Sequence, residues 1–319
     1  MVDICWYGNT LEPHPKLESL TGDVRFPLST WLEDVTAVMH LGGVSTDPAV
    51  QFFVEMTTEV NTQGTIRLAE LAAAQAERVK RSLRFLFASS TSVYYLPTGS
   101  LDLDVQLMTE DFPVMPPPGY GDSKRQAEVA LMRLAERHPW FCPTVLRKAT
   151  LFGPSRRMRF DLAVNAFTLQ AWRRRSLVVQ GRGEVWRPLL HVEDAVDSYI
   201  QLLELSKGAT RAQTFNIVHR NCRVVELAHE VAETLERHRN VEVPVRRDVS
   251  IDDARRSYYV AGAKAAAAAG IRPKRTVAEG VLALWDQLEA GVFGSRPEDE
   301  VRHFNIQRLR QVASESGGA

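Results

Sequence analysis

The chain has 319 residues, 45% of them hydrophobic and 24% charged, which is the composition of an ordinary globular protein. Its 39 basic and 39 acidic residues give a formal net charge of zero, which argues against a broad surface for nucleic acid or anionic membrane. The three cysteines show no metal-binding spacing and no disulfide framework, so we expect a protein of the reducing cytoplasm without a metal site. The apolar runs are too short to span a bilayer, and the N-terminus does not have the pattern of a signal peptide.

The first half of the chain alternates strand-like and helix-like segments. In order, the hydrophobic pattern predicts a buried strand at 35–41, a helix at 59–76, a strand at 83–88, a helix at 120–135 and a strand at 143–146. Parallel strands connected by helices form a sheet whose two faces are both covered. The pattern therefore predicts an α/β fold with a Rossmann-like, doubly wound parallel sheet.

The second half of the chain is more mixed. Its predicted elements are a short strand at 176–179, a helix at 191–205, a strand at 214–218, a helix at 224–237, an extended stretch at 242–262 and a last helix at 277–288. We predict a first domain at 1–160. Residues 161–313 are expected to form mainly a smaller, mixed α/β lobe, and 314–319 a frayed tail.

Three chemical signals fall at the carboxyl ends of predicted strands, where open parallel sheets bind ligands. They are Ser90 after one strand, Arg147 after the next, and a helix start that carries Tyr120 and Lys124. The last two residues are four apart and share one helix face, so the ammonium would lower the pKa of the phenol from its usual value of about 10. Such a tyrosine could take a proton from a sugar hydroxyl while hydride leaves the same carbon, although the spacing alone also fits a solvated helix face.

Further short segments follow one another along the chain in an informative order. They are GDVR at 22–25, HLGG at 40–43, NTQGT at 61–65, SSTSVY at 89–94, TEDFP at 109–113, YGDSK at 120–124, LRKATLFGP at 146–154, RMRFD at 157–161, RPLLHVED at 187–194, TFNIV at 214–218 and DARRSY at 253–258. With them, from about residue 3 to its end, the chain resembles the extended short-chain dehydrogenases of the NAD-dependent nucleotide-sugar epimerase/dehydratase family. The resemblance implies that the domain at 1–160 is of the dinucleotide-binding type, that 185–220 return to it, and that the lobe at 161–313 mainly binds the substrate.

The resemblance implies a role for each matching position. Catalysis would use Ser90, Tyr120 and Lys124. The cofactor would contact Asp3, Asp23, Val24, Leu41, Gly42, Gly43, Asn61, Tyr120 and Lys124. The substrate would contact Ser90, Arg147, Asn165, Arg187 and Arg256, of which the arginines suit phosphate oxygens.

Several of these positions also have simpler explanations. Asp23 could cap a turn, Asn61 could tie loops together, and Arg187 and Arg256 could be surface charges. His40 is expected to be packed structure rather than a catalyst. Asp3 falls near the acidic position that binds the adenosine ribose hydroxyls, which favours NAD over NADP.

The chain departs from the family pattern at its start, where the GxxGxxG turn that holds the dinucleotide pyrophosphate is not found. The first βα unit of the sheet is therefore expected to be missing. Either the working enzyme has a longer chain, or this relative has lost dinucleotide binding and uses no cofactor. A cofactor-free relative would have a binding, regulatory or non-redox catalytic role.

The residues after Ser90 restrict the set of reactions that the chain could catalyse. Dehydratases of this group place an Asp-Glu pair there, whereas this chain has Thr91 and Ser92. Without those carboxylates, elimination lacks its acid and base. The resemblance therefore implies a 4-epimerase or 4-ketoreductase acting on a UDP- or dTDP-sugar.

Relatives in this family suggest a homodimer, built on the helices that start near Asn61 and Tyr120.

Overall fold

The computed structural model describes residues 1–45, 54–94, 106–250 and 257–316. In this part of the chain the main sheet has four parallel strands in the order β10-β6-β4-β3. Their bounds are Ala37–His40 for β3, Leu83–Ser90 for β4, Phe141–Lys148 for β6 and Gln213–Ile217 for β10. The predicted α/β class with a Rossmann-like parallel sheet is confirmed.

The remaining elements surround this sheet. The other strands are β1 Val2–Asp3, β2 Leu20–Thr21, β5 Leu107–Met108, β7 Thr150–Phe152, β8 Leu177–Gln180, β9 Trp186–His191, β11 Arg220–Arg223, β12 Val245–Asp248 and β13 Tyr259–Val260. The helices are α1 Val54–Thr57, α2 Thr65–Val79, α3 Tyr120–Arg137, α4 Ala163–Arg174, α5 Val192–Glu204, α6 Lys207–Thr210, α7 Val224–Arg239, α8 Ala263–Ala269, α9 Val277–Glu289 and α10 Asn305–Ser316. A π-helical segment, Thr58–Gly64, joins α1 to α2. None of the described helices is both long enough and apolar enough to cross a membrane.

Helices cover both faces of the main sheet because its strands are apolar on both sides. On one face α2 and α3 pack against Phe85, Phe87 and Val145. On the other face α5 and α8 pack against Leu146 and Phe215. Burial on both faces explains why these strands are near-continuous apolar runs in the sequence.

The main sheet ends at β3. Within the described residues β3 pairs only with β4, whereas β1 and β2 pair with each other in a separate parallel sheet. Met39 and Leu41 are 50% and 58% exposed at this edge. Among the described residues no strand is hydrogen-bonded to both β1 and β3.

The second lobe is built around a separate cluster of buried side chains. Helices α4, α7 and α9 enclose apolar residues of β8, including Leu177 and Val179. The parallel pair of β8 and β12 and the three-stranded sheet β11-β9-β7 complete it. This arrangement accounts for the mixed pattern of the second half of the sequence.

Three predicted features differ in the structure. Of the segment 185–220, only β10 joins the main sheet, because β9 pairs with β7 and β11 instead. Residues 314–316 of the predicted tail end helix α10, and 317–319 lie outside the described residues. Strand β6 continues through Arg147 to Lys148, because β4 and β10 pair with it on both sides.

Candidate active site

Tyr120 is the first residue of α3, and the start of this helix packs tightly against the loop after β4. Gly119 precedes it with a φ of 144°, a conformation that favours glycine. A side chain at Gly121 would collide with the backbone oxygen of Ser92. This close approach brings the helix start that carries the predicted base to the loop that carries Ser90, at the carboxyl end of the sheet.

Lys124 lies one turn further along α3 and is only 3% exposed. Its ammonium is 4.9 Å from the ring centroid of Phe87, and it would be 3.1 Å from a Cβ placed on Gly43. Burial, assisted by the charge of Lys148 and opposed by Glu128, lowers the pKa of Lys124 to about 7. When protonated, this group favours the phenolate form of the tyrosine one turn earlier.

Asn61, in the π-helical segment, connects the glycine loop to α3. Its side chain accepts the N–H of Val44 at 2.8 Å and donates to the carbonyl oxygen of Val44 at 2.9 Å. It also donates to the Ser123 hydroxyl at 3.1 Å, and this hydroxyl donates to the carbonyl oxygen of Tyr120 at 2.8 Å. These bonds match the alternative in which Asn61 ties loops together, and they support the cofactor loop from behind.

The loop after β3 presents backbone rather than side chains to the site. Gly43 has a φ of 151°, and a Cβ there would be 2.7 Å from the side-chain oxygen of Asn61. Gly42 and Leu41 are exposed beside it. Only glycine fits position 43, so the loop leaves room for the close approach of a bound group.

His40 is a neutral structural residue. Its Nε2 lies 2.8 Å from the hydroxyl of Thr65, which donates to the carbonyl oxygen of Asn61. The ring stacks on Phe87 at 5.8 Å. Burial, together with the charge of Lys124, lowers the pKa of His40 to about 3. The packed role expected from the sequence agrees with these contacts.

The carboxylates predicted to contact the adenosine lie near the separate β1-β2 sheet. Asp23 accepts the backbone N–H of Arg25 at 2.9 Å and its Nε at 2.8 Å, so it caps a turn, as the alternative from the sequence has it. The carbonyl oxygen of Val24 approaches Gly64 closely. Asp3 is exposed and accepts the backbone N–H two residues further on at 2.6 Å. Their contact with a cofactor stays a prediction.

Arg147 makes structural contacts, and its predicted contact with the substrate stays a prediction. Its guanidinium donates to both carboxylate oxygens of Glu128, at 3.0 and 2.7 Å, and to the hydroxyl of Tyr94 at 2.8 Å. The Ser89 hydroxyl donates to the same carboxylate at 2.6 Å. Arg147 is only 3% exposed, so its hydrogen-bonding capacity is used inside the protein, where it joins β6 to α3.

Glu128 was missed by the sequence reasoning. It lies four residues after Lys124, on the same face of α3, and this spacing is the signal that could have found it. Its carboxylate is buried and joins Arg147 in the ion pair beneath the catalytic pair. The charge of Glu128 also stabilises the protonated form of Lys124.

Asn165 likewise makes structural contacts, and its predicted contact with the substrate stays a prediction. Its side-chain oxygen accepts the N–H of Gly153 at 3.0 Å, and its amide nitrogen donates to the carbonyl oxygen of Arg159 at 3.0 Å. The residue is 3% exposed. Both polar ends of the side chain therefore hold the loop between β7 and α4.

Arg187 remains a candidate for substrate binding. It is half-buried in β9, donates to the carbonyl oxygen of Trp186 at 2.9 Å and lies 5.6 Å from the ring centroid of Tyr258. Arg256 lies outside the described residues. The substrate contact of both arginines stays a prediction.

The cofactor implied by the resemblance fits the residues at one end of the site. Gly42 and Gly43 present bare backbone beside the buried ammonium of Lys124, and a Cβ on Gly43 would lie 2.7 Å from the side-chain oxygen of Asn61. For the pyrophosphate, the described chain offers the exposed backbone after β3, and no described helix begins at a GxxGxxG turn. Among the described residues no group of three or more His, Cys, Asp or Glu could hold a metal ion.

Solved structures share this fold. A dTDP-glucose 4,6-dehydratase from Streptomyces venezuelae, DesIV, solved with NAD, superposes with a TM-score of 0.75 at 21% identity, covering 92% of this chain and 88% of that one. A UDP-glucuronic acid 4-epimerase from Bacillus cereus, solved with UDP-glucuronic acid and NAD, superposes with a TM-score of 0.72 at 20% identity, covering 87% and 83%. At these identities the likeness shows that the Rossmann-like fold is shared.

Sequence comparison gives the family. UDP-glucuronic acid decarboxylase 1 of Xenopus tropicalis is 29% identical over 203 residues, which are 62% of this chain and 43% of the decarboxylase. The chain thus spans less than half the length of this curated relative. The model of the NAD dependent epimerase/dehydratase family matches residues 21–217, which is more than half of the chain. The chain therefore belongs to the NAD-dependent epimerase/dehydratase family, which is a family of enzymes.

Proposed function

We propose that this chain is a nucleotide-sugar 4-epimerase or 4-ketoreductase that acts on a UDP- or dTDP-sugar. The observation that carries the proposal is the buried Lys124, one helical turn from Tyr120, on a helix start packed against the loop of Ser90. A buried ammonium lowers the pKa of a neighbouring phenol, and a phenolate can accept a proton from a carbinol. The UDP-sugar named for the decarboxylase relative supports the substrate class.

Each of the three residues has a distinct role in this proposal. Tyr120 takes the proton from the C4 hydroxyl and returns it. Lys124 holds the phenol in its ionised form, and the Ser90 hydroxyl binds the same sugar oxygen. In the structure this hydroxyl exchanges hydrogen bonds with Ser92, which are 3.1 Å long and can be replaced by the sugar oxygen.

The cofactor of the proposal is NAD, held in the cleft at the carboxyl end of the sheet. NAD, when bound, supplies a hydride acceptor and donor next to the sugar C4. Lys124, Tyr120 and the backbone of Gly43 would hold its nicotinamide ribose. Leu41, Gly42, Asp23, Val24 and Asp3 would contact the remainder, and Asn61 supports the loop that carries the glycines.

The residues after Ser90 favour epimerisation or ketoreduction over dehydration. Thr91 and Ser92 carry hydroxyls where a dehydratase needs a carboxylic acid and a carboxylate, and Thr91 is buried, 2% exposed. Elimination of water across C5 and C6 requires such a pair, whereas hydride transfer at C4 requires one base. This difference in chemistry supports the C4 reaction.

A second function is favoured by the open edge of the main sheet. A family member without a bound dinucleotide would have a binding, regulatory or non-redox catalytic role in the same cleft. The exposed Leu41 at this edge supports this alternative. It predicts that nucleotide sugars bind and that NAD does not.

The test is turnover of UDP-glucose and UDP-glucuronic acid with NAD, followed by proton NMR of the C4 configuration. The wild type should interconvert the C4 epimers. Tyr120→Phe and Lys124→Met should each lower kcat by about 10²- to 10⁴-fold, since both remove proton transfer at the sugar oxygen. Lys80→Met, which removes an exposed lysine on a distant helix end, is the matched control and should change nothing. Full activity of Tyr120→Phe, or a product formed only by 4,6-dehydration, would contradict the proposal.

A further inference from the structure

Lys148 is a second lysine beside the catalytic pair, and its ammonium has no counter-ion among the described residues. It is the last residue of β6, where its backbone pairs with that of Ser90 on β4 and of Ile217 on β10. Its side chain extends over the ring of Tyr199 in α5, with the ammonium 5.5 Å from the ring centroid. Within the described ranges the ammonium of Lys148 makes no hydrogen bond and no ion pair.

Tyr199 contributes a second unsatisfied donor at the same place. It is 6% exposed, and its hydroxyl has no hydrogen-bond partner in the part of the chain that the structure describes. Burial, and secondarily the nearby Tyr120, raise the pKa of Tyr199, so its hydroxyl keeps its proton. An ammonium and a phenol without acceptors are costly inside a protein unless a ligand supplies the acceptor.

Both groups lie within electrostatic reach of the catalytic pair. The charge of Lys148 contributes to the lowered pKa of Lys124, and Tyr120 contributes to the raised pKa of Tyr199. Lys148 is also paired with Ser90 across β6 and β4 and contacts Tyr199, so both donors lie near the reacting end of the site, where the sugar ring must lie for Tyr120 to reach its C4 hydroxyl. The diphosphate lies at the other end of such a substrate.

We propose that Lys148 and Tyr199 bind the carboxylate of a hexuronic acid, so that the site selects nucleotide uronic acids over neutral nucleotide hexoses. This inference rests on the proposed function, since it takes the sugar to lie at Ser90 and Tyr120. In a hexuronic acid the C6 carboxylate is two bonds from C4, which places it beside the strand ends that carry Ser90 and Lys148. A carboxylate accepts hydrogen bonds from an ammonium and a phenol together, and such charge-assisted bonds are strong.

The kinetic test compares kcat/KM for UDP-glucuronic acid and UDP-glucose in three variants. Lys148→Met should lower the ratio of the two values by about 30-fold or more, since truncating one partner of a buried charged pair costs at least about 2 kcal/mol. Lys148→Arg should retain part of the preference, and Tyr199→Phe should lower the ratio by about 10-fold. The matched control is Lys264→Met, which removes a lysine placed 5.4 Å over the ring of Phe215 and should leave the ratio unchanged.

A binding measurement separates failure of this inference from failure of the proposed function. Calorimetric titration with UDP, UDP-glucose and UDP-glucuronic acid needs no turnover. The wild type should bind UDP-glucuronic acid more tightly than UDP-glucose, and Lys148→Met should abolish the difference. If no sugar is turned over but this pattern holds, the reaction is wrong and the carboxylate site stands. If Lys148→Met weakens the binding of UDP as much as that of UDP-glucuronic acid, the lysine binds the diphosphate and the inference is overturned. An unchanged preference in Lys148→Met overturns it as well.

Discussion

Glu128 is the acidic residue on which the buried contacts of α3 depend, since it accepts from Arg147, Arg125 and Ser89 at once. Removing one partner of a buried ion pair leaves the other charge without compensation, at a cost of about 3–5 kcal/mol. We therefore expect Glu128→Ala to lower the free energy of unfolding by about that amount. Urea denaturation followed by circular dichroism measures this change.

The control for this prediction lies on the same helix. Glu136→Ala removes an exposed carboxylate from α3 and should change the free energy of unfolding by less than about 0.5 kcal/mol. Equal effects of the two substitutions would show that the ion pair with Arg147 adds nothing to stability, and the structural role assigned to Arg147 would then fail.

The buried position of Lys124 predicts a pH-dependent stability. Its pKa is about 7 in the folded protein and about 10.4 in an unfolded chain, so between these values the unfolded chain binds more protons. Stability contributed by this lysine therefore rises with pH from about 7 to about 10, with a slope of at most about 1.4 kcal/mol per pH unit. Below pH 7 both states are protonated and the contribution is constant.

The measurement is the difference in the free energy of unfolding between wild type and Lys124→Met at pH 7, 8 and 9. The free energy of unfolding of the wild type should rise relative to that of the variant as the pH rises, because the methionine does not titrate. Lys80→Met, at an exposed lysine, should keep a constant difference from the wild type. A difference for Lys124→Met that does not change with pH would mean that the lysine is hydrated or paired in solution.

At the scale of elements, the loop after β3 and the start of α3 are held together by one side chain. Asn61 satisfies both backbone groups of Val44 and the hydroxyl of Ser123. We expect Asn61→Ala to cost about 1–3 kcal/mol of stability, since it leaves buried polar groups without partners. Because the loop would lose its fixed position, the dissociation constant of NAD should also rise.

Thermal unfolding and titration with NAD measure the two effects of Asn61→Ala separately. Thr276→Ala is a suitable control, because it removes a helix cap of α9 in the other lobe and should cost about 1 kcal/mol. The affinity of folded Thr276→Ala for NAD should equal that of the folded wild type. Loss of NAD affinity in both variants would trace the effect to general destabilisation rather than to the loop.

The sequence predicted best those elements whose hydrophobic pattern can be recognised within a few neighbouring residues. Strand β4 and helix α3 were predicted because apolar runs and helical spacing are read within a short window. The partners of Arg147 could not be predicted, since Glu128 and Tyr94 reach it only after α3 has packed on the sheet. The same limit applies to β9 and β10, because both are apolar strands and only tertiary pairing assigns them to different sheets.

At the scale of the whole molecule, one side of the candidate site is packed against the main sheet, and the other side lies at the edge strand β3. Tyr120 and Lys124 lie on a helix buried against the sheet, and their placement followed from a motif that matched the family. The pyrophosphate side lies next to the open edge at β3, where Leu41 is exposed. The roles of Asp3 and Asp23 were less predictable, because a carboxylate near a strand end serves equally well to cap a turn.

This asymmetry makes dinucleotide binding the property that decides between the two proposed functions. A ligand that binds only the folded protein stabilises it by about 2.7 kcal/mol at 100 times its dissociation constant, which raises the melting temperature by several degrees. We expect both NAD and UDP to stabilise the wild type, and Lys124→Met to reduce the effect of NAD more than that of UDP, since this lysine borders the ribose end of the cofactor cleft. ADP-ribose, which lacks only the nicotinamide ring, tests all the remaining parts of the dinucleotide site. Stabilisation by UDP but by neither NAD nor ADP-ribose would favour the cofactor-free function, because the cleft would then bind the sugar nucleotide while its cofactor half stays too open to retain a dinucleotide.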